Sequence, residues 1–305
     1  MEFRTHWKFD DFYPEAPLLR QLIDEHFTES IAGKLNFDKR ALWNYWFIPT
    51  QYTYLRANPH VLFTPERHDA FLYYLKAFAA RQFGLFIPTN PFISMYVNGC
   101  GQNIHNDYGN GRLAYVFSLT KWEERHFLGG ETFIYTNGES AHEKLFRSTG
   151  GWGWYDYVEP VFNRLALFDD RLPHAVNPIQ GSMDPKDARF VMHGHMEESP
   201  AIAYIEGGLQ GSDLRPLFDQ VRISASRMFQ SHGLDGFVSI ELPVEASGAG
   251  GQAEIKCMQL LPLNRQSKDV SLGLADIREI LSKITWPTTA NPSKLVFALG
   301  AAPLR

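Results

Sequence analysis

Cysteine is nearly missing from this chain: two thiols, Cys100 and Cys257, stand far apart in 305 residues. That excludes a disulfide framework and fits a reducing compartment. Basic charge is not in excess either. Twenty-nine Lys and Arg stand against 34 Asp and Glu, a formal net charge of −5. No positive field would draw nucleic acid or an anionic membrane. No apolar run approaches membrane-spanning length, and Met1-Glu2-Phe3-Arg4 opens without the apolar core of a signal segment. No repeat or low-complexity tract appears. The expectation is a soluble, cytoplasmic protein with no nucleic-acid and no membrane partner. Its oligomeric state is not legible. What the chain does have is aromatic side chains, 14% of its residues, much of them before residue 170. The length is ample for a core, in one large domain or one domain plus a small one.

Periodicity divides the chain. Leu19, Leu22, Ile23, His26 and Phe27 recur at helical spacing within 15–30. Thr64-Pro65 reads as a helix start, with Phe71, Leu72, Leu75, Phe78 and Ala79 on one face behind it. From Pro91 the texture turns to strands and Gly/Asn-rich turns: Phe92–Val97, Leu113–Leu119, Glu131–Tyr135, Val161–Phe168 and Phe190–Met196. Many short strands with turn punctuation predict a mainly β fold, a double-stranded β-helix or jelly roll, with flanking helices. Ser212 opens a further helix. After it, strand-like 236–244 and 252–261 flank a Gly248–Gly251 tip, and a helical face (Leu274, Ile277, Ile280, Leu281, Ile284) precedes a last strand at Lys294–Leu299. The expected division is 1–231, with N-terminal helices in 1–90, a jelly-roll core at 91–200 and a closing helix at 210–231. A small β-β-α-β, α+β appendage follows at 232–305.

The chemistry sits in that β region. His105-Asn106-Asp107 follows a strand through a tight Asn98–Gly101 loop, and His174 follows the buried-strand run Leu165–Phe168. Two imidazoles and one carboxylate on one face of a metal leave the opposite face open, the ligand type of non-haem Fe(II) oxygenases. Arg189 begins the next strand after a turn-rich loop, and its guanidinium fork suits the distal carboxylate of a 2-oxo acid. The triplet alone is weak, because a chain with 11 histidines is expected to hold roughly one His-x-acid match by accident, and His195-Met196-Glu197 is another. The bland alternative is a pair of satisfied rim histidines. Structural zinc would need a fourth ligand, commonly Cys, and Cys100 is tied to a turn.

The blocks Tyr96-x-x-Gly99, His105-x-Asp107, Gly109-Asn110-Gly111-Arg112, Gly129-Gly130-Glu131, Val158-Glu159-Pro160-x-Phe162-x-Arg164-Leu165, Pro173-His174-x-Val176 and Arg189 occur in order. Over about 96–195 the chain resembles the prolyl-4-hydroxylase branch of the Fe(II)/2-oxoglutarate dioxygenases, most closely the oxygen-sensing prolyl hydroxylases. The resemblance implies that His105, Asp107 and His174 ligate iron, that Arg189 holds the C5 carboxylate of 2-oxoglutarate and that Tyr96 hydrogen-bonds the same cosubstrate. The cofactors implied are Fe(II), 2-oxoglutarate and O2, with succinate and CO2 released. Departures exist. Leu119 stands where family members often carry Tyr, seven residues after the arginine of the Gly-rich turn. The His174–Arg189 loop is longer than usual. The stretch 139–157 is an aromatic insertion.

Further distinctions follow from the resemblance. Asp107 stands where related halogenases have a small residue, which favours hydroxylation. His195 stands where nucleic-acid repair members usually show a second arginine. The expected reaction is hydroxylation of an aliphatic C–H, with a prolyl residue or another amino-acid-derived group as substrate. The alternatives are a biosynthetic oxygenase on a free small molecule, and a catalytically silent jelly-roll binding module. His193 and His195 share parity with Arg189 on one strand and point to the same side, either to touch substrate or to pack as core polar residues. Trp152, Trp154, Tyr155 and Tyr157 form either a wall for the substrate or a hairpin covering the outer sheet.

Overall fold

In the computed structural model, residues 3–31, 43–135, 155–263 and 267–301 are described. The chain is mainly β. Its largest sheet is antiparallel and built from β1 (His6–Phe9), β2 (Asn44–Ile48), β3 (Tyr52–Ala57), β4 (Phe92–Tyr96), β5 (Gly101–His105), β6 (Leu113–Ser118), β7 (Thr132–Tyr135), β8 (Tyr155–Val158), β9 (Leu165–Asp169), β10 (His174–Val176) and β11 (Arg189–Glu198). Hydrogen-bonded neighbours run β1-β9-β6-β11-β4-β3-β5-β10-β7-β8, with β2 on β3. This is the curled arrangement of a jelly roll.

Two helices brace it. α1 (Ala16–Ile31) buries Leu19 and Ile23. α2 (Pro65–Phe83) starts at Thr64 with Pro in its first turn, where a missing N–H costs nothing, and stops at Gly84 in a left-handed conformation. Phe71, Leu75, Ala79 and Phe83 of α2 are buried in one cluster with Leu113, Tyr115, Phe117, Leu165, Leu167, Phe190, Met192 and Met196. The alternate residues of the same strands face the other way. One side of the sheet is therefore packed under helices, and the other is free to line a cavity.

The expected helical N-terminal region holds four strands as well, β1 to β3 and the short strand Leu85–Phe86. β3 inserts between β4 and β5 in the sheet, and β1 covers β9. The strand expected from Val161 starts four residues later. Asn163 takes a left-handed conformation (φ 61°), and its main chain bonds to Phe12 and Ser118 rather than to a ladder.

β12 (Tyr204–Gly207), β13 (Phe237–Val244), β14 (Glu254–Met258) and β15 (Ser293–Gly300) form a second antiparallel sheet in the order β12-β15-β13-β14. α3 (Gly211–His232) and α4 (Val270–Ser282) contact each other. Leu214, Phe218, Val221, Ala225 and Phe229 of α3 share one buried cluster with Ile240, Leu242, Ile277, Leu295 and Phe297. The junction with the large sheet is polar and buried. Arg171 grips Asp169 through two bonds of 2.8 and 2.7 Å, donates to the Gln259 carbonyl at 2.7 Å and reaches Asp235 at 3.4 Å. Arg112 bonds Glu198 and the Ala301 carbonyl. No described helix is long and apolar enough to cross a membrane.

Candidate metal centre and cosubstrate pocket

The strand registers assemble the site. β5 and β10 pair so that His105 stands directly opposite His174, their ring centroids 4.3 Å apart. Asp107 lies two residues beyond β5, its main-chain N–H bonded to the Asp170 carbonyl. One ligand atom each from His105, Asp107 and His174 lie within 4.8 Å of one another. His174 Nε2 is 3.4 Å from Asp107 Oδ2.

The tautomers are fixed by what surrounds the rings. His105 Nδ1 lies 2.7 Å from the Asn103 carbonyl, and His174 Nδ1 lies 3.0 Å from the Leu172 carbonyl. A carbonyl oxygen only accepts, so each Nδ1 carries the proton and donates. Both Nε2 lone pairs are left for a metal, the usual outer-shell arrangement of ligating histidines. Burial, then the neighbouring His174, lowers the pKa of His105 and keeps its ring neutral. Burial opposes the charge of Asp107, but its contacts with His174, His195 and His105 outweigh it and bring its pKa down to about 2. Two imidazoles presenting Nε2 and one carboxylate are the donor set for a divalent iron.

Arg189 pairs with Tyr96 across β11 and β4 and is 1% exposed. Its guanidinium lies 4.6 Å from the Tyr96 ring centre, and Nη2 makes one long bond of 3.4 Å to Thr132 Oγ1. Nε and Nη1 are buried with no hydrogen-bond partner among the described residues. Burial lowers the pKa of this group. A buried cation without a counter-charge is costly, and two orphaned donors in a fork match a carboxylate. Gly130 makes the approach possible: its φ is +89°, and a Cβ there would sit 3.3 Å from Arg189 Cδ and 2.8 Å from Ile179 Cδ1.

Tyr96, His105, Asp107, His174 and Arg189 all line one cavity of about 260 Å³. It also takes in residues that sequence reasoning missed, namely Tyr52, Tyr54, Arg56 and Thr132. Tyr52 sits edge-on to His105 at 4.8 Å between ring centres; burial, then the charge of Asp107, pushes its phenol up to about 12. The aromatic and β-branched run Tyr52-Thr53-Tyr54 was the strand signal available in the sequence.

His193 and His195 both line the cavity. His193 Nε2 bonds Ser94 Oγ at 2.7 Å, and burial, then the charge of Arg56, pushes its pKa down to about 3. His195 Nδ1 lies 3.1 Å from Asp170 Oδ2. Asp107, Asp170 and His195 form a second group with metal-ligand spacing, sharing Asp107 with the first. Asp170 gave no signal in the sequence. Trp152 and Trp154 lie outside the described residues. Tyr155 and Tyr157 stand on β8 against Phe133, about two-fifths exposed and away from the cavity lining. Cys100 and Cys257 are buried free thiols, and neither joins a described group with metal-ligand spacing.

A jelly roll presenting a two-His-one-carboxylate face beside an unpaired arginine defines the class of non-haem iron oxygenases. Residues 91–197 match the model of the 2OG-Fe(II) oxygenase superfamily. Over that segment, about a third of the chain, the sequence is similar to the enzymes of this superfamily, which use Fe(II), 2-oxoglutarate and O2. No curated protein compared with the chain matches it. Among solved structures, a Pseudomonas putida prolyl-4-hydroxylase is similar at 18% identity, covering 63% of this chain and 92% of that one, with a TM-score of 0.40. A prolyl hydroxylase from Trichoplax adhaerens, solved with a hypoxia inducible factor peptide, is 14% identical over 62% of this chain and 81% of that one, with a TM-score of 0.41. The non-heme alpha ketoglutarate dependent epimerase SnoN from nogalamycin biosynthesis is 14% identical over 62% and 76%, with a TM-score of 0.39.

Proposed function

We propose that this protein hydroxylates an aliphatic C–H of a prolyl residue or another amino-acid-derived group, with His105, Asp107 and His174 holding Fe(II). Arg189 takes the C5 carboxylate of 2-oxoglutarate, and Tyr96 hydrogen-bonds the same cosubstrate. The observation that carries the reading is the orphaned guanidinium of Arg189 in the same cavity as three converging ligand atoms. A silent binding module has no use for a buried, unpaired cation.

Iron held there would supply the O2 chemistry that couples decarboxylation of the cosubstrate to C–H oxidation. The chain's own residues do the rest. The Asn103 and Leu172 carbonyls hold the two imidazoles in one tautomer. Arg189 fixes the orientation of the cosubstrate and Thr132 steadies Arg189. Phe168, Val176 and Val191 exclude water from the cavity wall.

Anaerobic addition of Fe(II) and 2-oxoglutarate is expected to give a weak charge-transfer band in the visible. Admission of air should then release succinate. The variant His174→Ala should lose the band while its far-UV circular dichroism stays that of the parent. A parent protein that shows neither band nor succinate sinks the proposal.

A further inference from the structure

We propose that the substrate of this site is a small molecule bearing a carboxylate at the end remote from the oxidised carbon, and that Arg56 binds that carboxylate. The inference rests on the function proposed above and specifies its substrate class.

Arg56 stands on the cavity face of the sheet. Register fixes this: Arg56 opposes Ser94 on β4, and Ser94 opposes Val191 on β11. Directly opposed antiparallel residues share a face, so Arg56 is on the face that carries Arg189, Val191, His193 and Tyr96. It lines the same cavity as the ligand triad. Tyr52 stands beside His105, and Arg56 lies four residues further along the strand. That is about 13 Å of backbone at the usual rise. The backbone of Arg56 is thus at the end of the strand away from His105.

The guanidinium is held beside the Tyr54 hydroxyl and between two rings, with no carboxylate partner among the described residues. It lies 4.0 Å from the Trp46 ring centre and 3.7 Å from that of Phe92. Two aromatic faces can support a guanidinium plane, but its N–H donors point outward in that plane. No carboxylate pairs with Arg56 among the described residues, in contrast with Arg112, Arg164 and Arg171. Both rings are partly exposed, Trp46 36% and Phe92 40%, so the clamp stands at the mouth.

Charge balance gives the direction. With Fe(II) on the triad and the 2-oxoglutarate dianion on Arg189, the charges of metal, Asp107, Arg189 and cosubstrate cancel. Asp170 faces His195 and is compensated locally. Arg56 is then the uncompensated charge of the cavity. A planar fork at the mouth favours a planar anion, which a carboxylate is. The cavity of about 260 Å³ falls below the roughly 300–1,000 Å³ usual for drug-sized ligands, so the part of the substrate that enters beside the cosubstrate is small.

The test uses the full chain loaded with Zn(II) and 2-oxoglutarate. The Arg56 side-chain Nε–Hε resonance is assigned by its loss in Arg56→Gln. Acetate and acetamide are the probes. Acetate is expected to shift that resonance saturably and acetamide to leave it in place. Equal effects of the two, or no shift with either, overturn the proposal. Failure of the parent to retain 2-oxoglutarate is a different result and counts against the proposed function instead. A turnover arm uses free amino acids and small dicarboxylic acids, each compared with its amide and with prolyl peptides, and reads stimulated succinate release. An acid should stimulate where its amide does not. In Arg56→Gln the KM for that acid should rise at least about tenfold, equivalent to 1.4 kcal/mol, with the KM for 2-oxoglutarate moving far less, and Arg56→Lys should recover part of the loss. A neutral peptide that outpaces every acid, with the same KM in parent and Arg56→Gln, also overturns it.

Discussion

Arg189 carries a stability cost that the proposed binding of 2-oxoglutarate would offset. Its side chain is buried with two donors unpaired, which costs free energy in the ligand-free protein. Arg189→Met removes the cation and fills much of the same volume. The ligand-free variant is expected to unfold at a urea midpoint no lower than the parent's. Its apparent Kd for 2-oxoglutarate should rise by roughly tenfold to a hundredfold, as for loss of a charged hydrogen-bonding group worth ~1.5–3 kcal/mol. Titration of the band at fixed iron reads the second quantity. A variant that loses stability and keeps its affinity would make Arg189 a structural residue. At this scale His105, Asp107, His174 and Arg189 were legible because their spacing and neighbours form a pattern. Asp170 was not, because its role comes from the side chain of His195 across the sheet.

At the scale of elements, strand β3 was the large omission. Tyr52-Thr53-Tyr54 is strand-like in composition, but β3 lies between the two helices, inside the expected helical region. Its place between β4 and β5 depends on partners 40 residues later in the chain, which no local pattern states. The junction of the two sheets makes its own prediction. Asp235 is 2% exposed and sits within reach of Arg171 at 3.4 Å and Arg112 at 3.8 Å. Asp235→Ala leaves two buried guanidinium groups short of a partner. Breaking such a pair costs on the order of 3 kcal/mol, and urea unfolding followed by tryptophan fluorescence should show a loss of that size. A change below about 1 kcal/mol would place the junction among ion pairs of surface strength.

For the whole molecule, the question is whether the C-terminal sheet is an optional attachment. The buried face of α3 shares its apolar cluster with β13, β15 and α4, and Phe237, Cys257 and Ala298 belong to the core of the large sheet. A chain ending at Ser231 exposes Leu214, Phe218, Val221 and Phe229 together. Exposed apolar patches of that kind drive aggregation. The truncated protein is expected to be recovered mainly as aggregate, by size-exclusion chromatography, and to lose succinate formation with it. A soluble truncated monomer with undiminished turnover would show that 232–305 is dispensable.

The sequence by itself determined most of the elements and the candidate ligands. Helical and strand periodicities follow from 3.6- and 2-residue repeats that need no tertiary partner, and the ordered blocks from Tyr96 to Arg189 carried the chemistry. Only the tertiary structure decided which residues share the cavity wall with those ligands. Register across strands remote in sequence placed Arg56, Tyr52 and Asp170 around them. Burial, a property of the folded whole, left two donors of Arg189 without a partner among the described residues.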